Sequence, residues 1–248
     1  MDVPGINFDR VAAIYDQTRG GERRGQSFAD SIAPFVVGRR VAELGVGTGV
    51  IAKGLRRHGI DATGVDLSAA MLSAAVERIG PRVALADVDC LPFADSSIDT
   101  VLLVWVLQLV DDPAATLREA SRVLRPGGRV VALPSTADHD PGDEVAPIAG
   151  QLAPLRSHRL AASDLGEVEI PRLRLVHEGF TAWDEFEQAP AEELDNIEHR
   201  RYSSLFDVDD DTWTNVVEPV LEQLRALPDP HRPRLRRTRH PLLVWEAT

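Results

Sequence analysis

The sequence predicts an α/β protein built on a largely parallel sheet. Three features carry that expectation: short aliphatic and β-branched runs recur through the first half, helical patterns alternate with them, and a glycine-rich turn follows the first run. A chain of 248 residues suits one elaborated domain around a single core, and a hydrophobic share of 44% is that of an ordinary globular protein.

Residues 40–44, 61–65, 82–86, 100–104 and 129–133 each read as a buried strand, with intervals long enough for crossover helices. Between the second and third, Ser68 caps a helix that runs to Ile79 and stops at Gly80-Pro81. Asp111-Asp112-Pro113 opens the helix before the fifth strand. Leu117, Ala120, Ser121 and Leu124 form its buried stripe, and Pro126-Gly127-Gly128 stops it. Beyond Pro134 the texture changes. A polar loop is expected over 135–143, a helix over 170–177 closed by Gly179, and a strand over 180–186. Amphipathic helices are expected over 190–206 and 212–227, and a last strand over 241–246. The expected organisation is a single domain, 1–248, with a core at about 36–134 completed by a strand at about 240–247, a cap over 1–35 and a lid over about 135–239.

Composition narrows the function. No run approaches the roughly 20 apolar residues of a membrane span, and MDVPGINFDR lacks the basic and apolar regions of a secretory signal, so a cytoplasmic protein is expected. The single cysteine, Cys90, allows no internal disulfide or multi-cysteine metal site and reads as a buried, inert thiol; no metal is expected. A net charge of −12 and a pI near 5.0 disfavour nucleic acid as a partner. The arginines between His231 and His240 read as a solvated turn rather than an anion-binding patch.

The most informative stretch is VAELGVGTGVIA, residues 41–52, in which a strand ends in an acid and turns through three glycines into a helix. Dinucleotide folds use GxGxxG at this place, with a pyrophosphate on the helix N-terminus. Here Gly45, Gly47 and Gly49 read GxGxG, Val50 occupies the third-glycine position, and Glu43 stands just before the turn. An acid there repels a diphosphate and suits an ammonium, so the cofactor should be a nucleoside carrying an amino acid. Asp66 ends the second strand, where a carboxylate can accept from both ribose hydroxyls, and Asp87 closes the third, where it can read an adenine amino group. Read structurally, Asp66 is instead a charge at a helix start and Asp87 a turn acid; three acids at three successive strand ends favour the ligand reading.

VAELGVGTG, GVDLSAAML, ADVDCLPFADSSIDTVLLVW and LREASRVLRPGGRVVAL, in that order, resemble the successive motifs of class I S-adenosylmethionine-dependent methyltransferases of the small-molecule, type 11-like kind. FDRVAAIYDQTRG resembles the segment that precedes their core. The resemblance implies a Rossmann-like, seven-stranded, mostly parallel sheet with an antiparallel last strand, helices on both faces and a helical lid. It implies that Glu43 and the turn of Gly45, Val46, Gly47, Thr48 and Gly49 hold the methionine part of the cofactor and Asp66 the ribose. By the same resemblance Leu67 and Met71 flank the adenine, Asp87 and Val88 read its edge, Leu103 and Val104 line the methyl end, and Tyr15 and Arg19 cover it. The last two read equally well as a core cap and a solvated cation.

Transfer of a methyl group from a sulfonium is an in-line displacement that needs positioning and a dry pocket, with a base only where the acceptor must lose a proton. Relatives often carry histidine shortly after the fourth strand, but VWVLQLVDD offers Gln108 and Leu109. Trp105 and Gln108 are candidate acceptor contacts. His139, Glu198, His199 and Tyr202 lie in the expected lid, and no catalytic base is assigned. The segment 197–211, IEHRRYSSLFDVDDD, resembles a recurring lid element, so either Arg200, Arg201, Tyr202 and Ser203 meet substrate, or the segment is a helix whose Leu194, Ile197, Arg201 and Leu205 form a packing stripe. The expected activity is methylation of an O, N or C nucleophile of a small molecule, with S-adenosylhomocysteine as product, by a monomer or homodimer. A protein or RNA methyltransferase and a catalytically silent cofactor-binding regulator are the alternatives.

Overall fold

The computed structural model describes residues 8–10, 12, 14–134, 137–155, 165 and 168–248. Residues 1–7, 11 and 13 of the expected cap, residues 135–136 of the expected polar loop and residues 156–164 and 166–167 of the expected lid lie outside them. In chain order the first elements are α1 (Tyr15–Thr18), α2 (Gly21–Ile32), β1 (Val41–Leu44), α3 (Val50–Leu55), β2 (Ala62–Asp66), α4 (Ala69–Ile79), β3 (Val83–Leu85), β4 (Ile98–Val104), α5 (Pro113–Val123) and β5 (Leu124–Leu133). There follow β6 (Asp138–His139), α6 (Ala146–Ala149), β7 (Leu173–Phe180), β8 (Asp184–Gln188), α7 (Pro190–Glu198), α8 (Glu218–Arg225), β9 (Arg234–Arg239) and β10 (Pro241–Ala247). The chain divides into two compact units. Among the described residues no helix is long and apolar enough to cross a membrane.

The larger unit comprises residues 7–136, 160–182 and 240–248. Its seven strands run in the order β3-β2-β1-β4-β5-β10-β7. β1 pairs in parallel with β2 and β4, and β4 with β5, whereas β10 pairs antiparallel with both β5 and β7. The expected antiparallel last strand is therefore present, one place in from the sheet edge. Alternation along the strands sends successive residues to opposite faces. Leu44, Val101, Leu103, Val130 and Trp245 pack with Leu117, Ala120 and Val123 of α5 on one face. Val41, Leu102, Val104, Val131 and Val244 pack with Phe28, Ile32, Ile51, Leu55 and Leu72 of α2, α3 and α4 on the other. Each such fully buried side chain contributes about 1.5–3 kcal/mol. The caps follow the sequence: Ser68 accepts from Met71 N at 3.0 Å, Gly80 ends α4 at φ 75°, and Asp112 accepts from Ala114 N and Ala115 N ahead of Pro113.

The smaller unit includes residues 137–159 and 183–239. It is not wholly helical as expected, because it carries a three-stranded antiparallel sheet in the order β6-β9-β8. Val145, Leu152, Ile197, Leu205, Val217, Leu221 and Leu224 form its apolar core. A polar cluster accompanies it. Arg236 Nε donates to Asp143 Oδ2 at 2.8 Å, Asp143 Oδ1 accepts from Val145 N and Ala146 N, and Tyr202 Oη donates to Glu193 Oε2 at 2.8 Å.

Several expectations fail for identifiable reasons. Residues 170–177 are not a helix but give way to β7, an edge strand with strictly alternating burial; Ile170, Leu173 and His177 mimic a helical stripe, while Leu173, Leu175 and His177 equally satisfy period two. The strand expected over 180–186 is interrupted, β7 ending at Phe180 and β8 beginning at Asp184. The helix expected over 190–206 stops at Glu198 because Arg200 turns left-handed at φ 49°. Its guanidinium holds that turn on the Leu205 and Val208 carbonyls and stacks 4.3 Å from the Trp213 ring centre. The helix expected over 212–227 begins at Asp210, capped by Asp209 and passing through a π turn at Trp213–Val217, and ends at Arg225. The arginine run is strand β9, not a turn, and its cations are matched: Arg234 with Glu144, Arg236 with Asp143, Arg237 with Glu185 and Arg239 with Asp138. Cys90 is exposed rather than buried.

Candidate cofactor-binding site

The site is built where β1, β2 and β3 of the larger unit reach their carboxyl ends. β1 delivers Glu43, only 2% exposed, and the chain then turns with Gly45, Gly47 and Gly49 at φ 66°, 53° and 79°, conformations in which side chains are strained. A Cβ on Gly45 would stand 2.5 Å from Val106 Cγ2, whereas one on Gly47 would meet nothing within 4 Å. The turn is thus packed from below at Gly45 and open at Gly47. Val46 N donates to Val65 O at 3.0 Å and Gly49 N to Val46 O at 2.9 Å, which ties the turn to β2.

Asp66 organises the same loop. Its Oδ2 accepts from Gly47 N at 2.8 Å and its Oδ1 from Ser68 N at 2.9 Å, so one carboxylate holds both the glycine turn and the start of α4. Burial pushes Asp66 above the usual carboxylate range, against the backbone hydrogen bonds that favour its ion. Glu43 is displaced further. Loss of solvent raises its carboxyl to about 8, with the Ala52 amide working in the other direction and the Asp66 charge adding to the rise. Glu43 Oε2 has no hydrogen-bond partner. A buried acid in that condition calls for a cation, and an ammonium group supplies both the charge and the donor. The open face at Gly47 and the orphaned Glu43 oxygen fit a nucleoside-linked amino acid.

The other expected residues are placed unevenly. Leu67 is 57% exposed and Met71 2%, so of the two only Leu67 presents a surface. Asp87 is exposed and caps its own turn through Asp89 N; Val88 packs against the core. Leu103 is fully buried and Val104 nearly so. Arg19 lies 5.7 Å from the Tyr15 ring centre, and Gln108 Nε2 donates to the Trp105 carbonyl at 2.5 Å. Arg201 and Tyr202 belong to the smaller unit, where they engage Asp195 and Glu193. There His199 Nδ1 sits 2.9 Å from Asp195 Oδ1, and His139 Nδ1 3.9 Å from buried Asp143. Glu198 pairs with Arg225 at 2.5 Å.

Two groups at the turn escape sequence reasoning. Asp16 of α1 accepts from Thr48 Oγ1 at 2.6 Å and pairs with Arg78, whose other nitrogen donates to the Thr48 carbonyl at 2.9 Å. This clamp, rather than Tyr15, fastens the amino-terminal helix to the glycine turn. Asp16 adjoins Tyr15 in the recognised segment, but its partners lie 32 and 62 positions away, and no local pattern announces them.

Residues 42–132 match the family described as the methyltransferase domain. The chain is 39% identical over 129 residues to a demethylmenaquinone methyltransferase of Mycolicibacterium paratuberculosis, a match covering 50% of this chain and 56% of that protein. It thus spans little more than half the length of the curated relatives it matches. Among solved structures, a methyltransferase from a Haloferax volcanii complex with the Trm112 activator superposes with a TM-score of 0.60 at 20% identity, over 98% of this chain and 97% of that one. The Haemonchus contortus phosphoethanolamine N-methyltransferase 2, solved with S-adenosyl-L-methionine, gives 0.55 at 19% identity, over 99% and 60%. Both likenesses are of fold. The glycine turn and the strand order agree with the methyltransferase-domain match of residues 42–132.

Proposed function

We propose that this protein transfers a methyl group from S-adenosylmethionine to an O, N or C nucleophile of a small molecule. The observation that carries the reading is the buried, partnerless Oε2 of Glu43 beneath a turn that is open at Gly47. Glu43 would take the ammonium of the cofactor, the Gly45 to Gly49 backbone its methionine part, and Asp66 its ribose. Leu67 would flank the adenine, with Met71 behind it, and Asp87 and Val88 would read its edge. The bound cofactor supplies a sulfonium-activated methyl group. Val104 contributes an apolar floor near the strand end, where excluding water favours loss of the sulfonium charge. Trp105 and Gln108, next along the chain, are placed to meet the acceptor.

A small-molecule acceptor is supported by the similarity to demethylmenaquinone methyltransferases. The test is transfer of label from methyl-tritiated S-adenosylmethionine to a panel of phenols, quinols and amines. Label in an organic-soluble product, lost in Glu43→Gln, supports the reading. A panel left unlabelled by a protein that also fails to bind S-adenosylhomocysteine would overturn it.

A further inference from the structure

We propose that Thr116, Glu119 and Arg122 of α5 are positioning residues that set Asp87 for the exocyclic amino group of adenine, so that base selectivity in the cofactor site is governed from that helix; this rests on the proposed function. Residues 86–97, between β3 and β4, carry no helix or strand, and Asp87 stands near their start. Ala86 N donates to Asp66 O at 3.1 Å, which ties the stretch to the end of β2 beside the carboxylate proposed for the ribose. A segment without ladder bonds samples many conformations unless other groups order it. α5 supplies those groups, because Thr116, Glu119 and Arg122 recur at a spacing of three and so share one helix face.

The turn itself is held first. Asp89 N donates to Asp87 Oδ1 at 3.0 Å and Cys90 N to Asp87 O at 3.1 Å, which folds the chain around the Asp87 carboxylate. Thr116, fully buried, donates its hydroxyl to Asp89 Oδ1 and so anchors that turn to α5. Beyond it, Glu119 and Arg122 act as one unit. Arg122 Nε donates to Glu119 Oε2 at 2.8 Å and Nη2 to Oε1 at 2.7 Å, a bidentate pair that fixes both side chains. The pair takes both backbone polar groups of Leu91: Glu119 Oε1 accepts from its N at 2.8 Å, and Arg122 Nη2 donates to its carbonyl at 3.3 Å. Arg122 Nη1 adds the Phe93 carbonyl at 3.0 Å and the Asp95 carboxylate. The hydrogen bonds from Arg122 hold the Glu119 carboxyl below the usual carboxylate range, which keeps it an acceptor at neutral pH. The chain that follows the Asp87 turn is thereby fixed to α5, and the Thr116 hydroxyl fixes the turn. A carboxylate accepts well only over a narrow range of distance and angle, so an Asp87 turn free to drift would lose its discrimination between a 6-amino donor and a 6-oxo acceptor.

The experiment measures by calorimetry the affinity of the full chain for three ligands: S-adenosylhomocysteine, S-inosylhomocysteine, whose base carries an oxo group in place of the amino group, and methylthioadenosine, which lacks the amino-acid end. The wild type should favour the adenine ligand over its inosine counterpart about ten- to a hundredfold, the worth of a hydrogen bond to a charged group. Thr116→Val keeps the shape of a buried side chain and leaves exposed Asp89 to solvent; it should bring that ratio to about threefold or less. The ratio between adenosylhomocysteine and methylthioadenosine, set at the Glu43 end, should stay within about twofold. Thr116→Ser should keep the base preference, and Arg122→Lys, which cannot form the planar fork, should lose it. Equal affinity of the wild type for the two bases, or a preference unchanged in folded Thr116→Val and Arg122→Lys, overturns the proposal. A fall of both ratios together, as general loosening of the site would give, overturns it too. A wild type that binds none of the three ligands would remove the cofactor reading and this proposal with it, whereas adenine preference kept in every variant removes the positioning role alone.

Discussion

Replacing Glu43 with glutamine isolates the most unusual group in the protein. The carboxyl rises from 4.5 to about 8 on folding, and each pH unit of that displacement corresponds to about 1.4 kcal/mol. Because the folded-state value lies above the unfolded one, the stability tied to the protonated acid is fully present below pH about 4.5 and is lost as pH climbs toward about 8. Without a cation beside it, Glu43 costs the fold about 3 kcal/mol at pH 7 and about 5 kcal/mol beyond pH 8. Glu43→Gln keeps the shape and has nothing to ionise. Thermal melts of the ligand-free protein from pH 5 to 8.5 should therefore show the wild type losing stability with pH and the variant losing less, melting roughly 5–10 °C higher near pH 7.5. S-adenosylmethionine should reverse the order by supplying an ammonium that only the glutamate can pair. Parallel melting curves for the two proteins across this window would refute the argument, since they would mean that the buried carboxyl finds a partner or solvent.

Three further changes separate local roles. Asp66→Ala removes the acceptor of both Gly47 N and Ser68 N; it should cost about 1–3 kcal/mol in denaturant unfolding and weaken adenosyl ligands by more than about tenfold. Gly47→Ala places a methyl group where no protein atom lies within 4 Å but at φ 53°. Stability should fall by only about 1–2 kcal/mol, while calorimetry should find cofactor affinity reduced far beyond that of a stability-matched core variant. In the smaller unit, Asp143→Ala leaves Arg236, 6% exposed, without its 2.8 Å partner. A loss of about 3–5 kcal/mol is expected, visible as early proteolysis within residues 137–155 and 183–239, and Asp143→Ala combined with Arg236→Met should recover part of it.

The sequence made legible what is local or periodic. Ser68, Gly80 and Asp112 cap their helices because capping is chemistry within a few residues, and the glycine turn announced itself through spacing. β7 escaped because its apolar positions satisfy two periods at once, and sheet pairing with β10 decided between them. β9 escaped because its pattern is inverted, with Arg236 and Thr238 buried and Leu235 58% exposed; partners remote in sequence, Asp143 at 93 positions and Gln188 at 48, make an inward arginine tenable. Distance in sequence also hid the Asp16 clamp on Thr48. Cys90 was misjudged because its hydrophobic neighbours Leu91 and Phe93 pack inward while it faces out from the loop.

The measurement that bears most directly on the account is calorimetric titration of S-adenosylhomocysteine at pH 7 in two buffers of different ionisation heat, with NAD as a control ligand and Glu43→Gln alongside. The ammonium of the ligand should convert Glu43 from mostly protonated to ionised, so binding in the micromolar class should release close to one proton. That release should vanish in the variant, and NAD should give no heat. Absence of adenosylhomocysteine binding, or binding of NAD in its place, would contradict the assignment of the site.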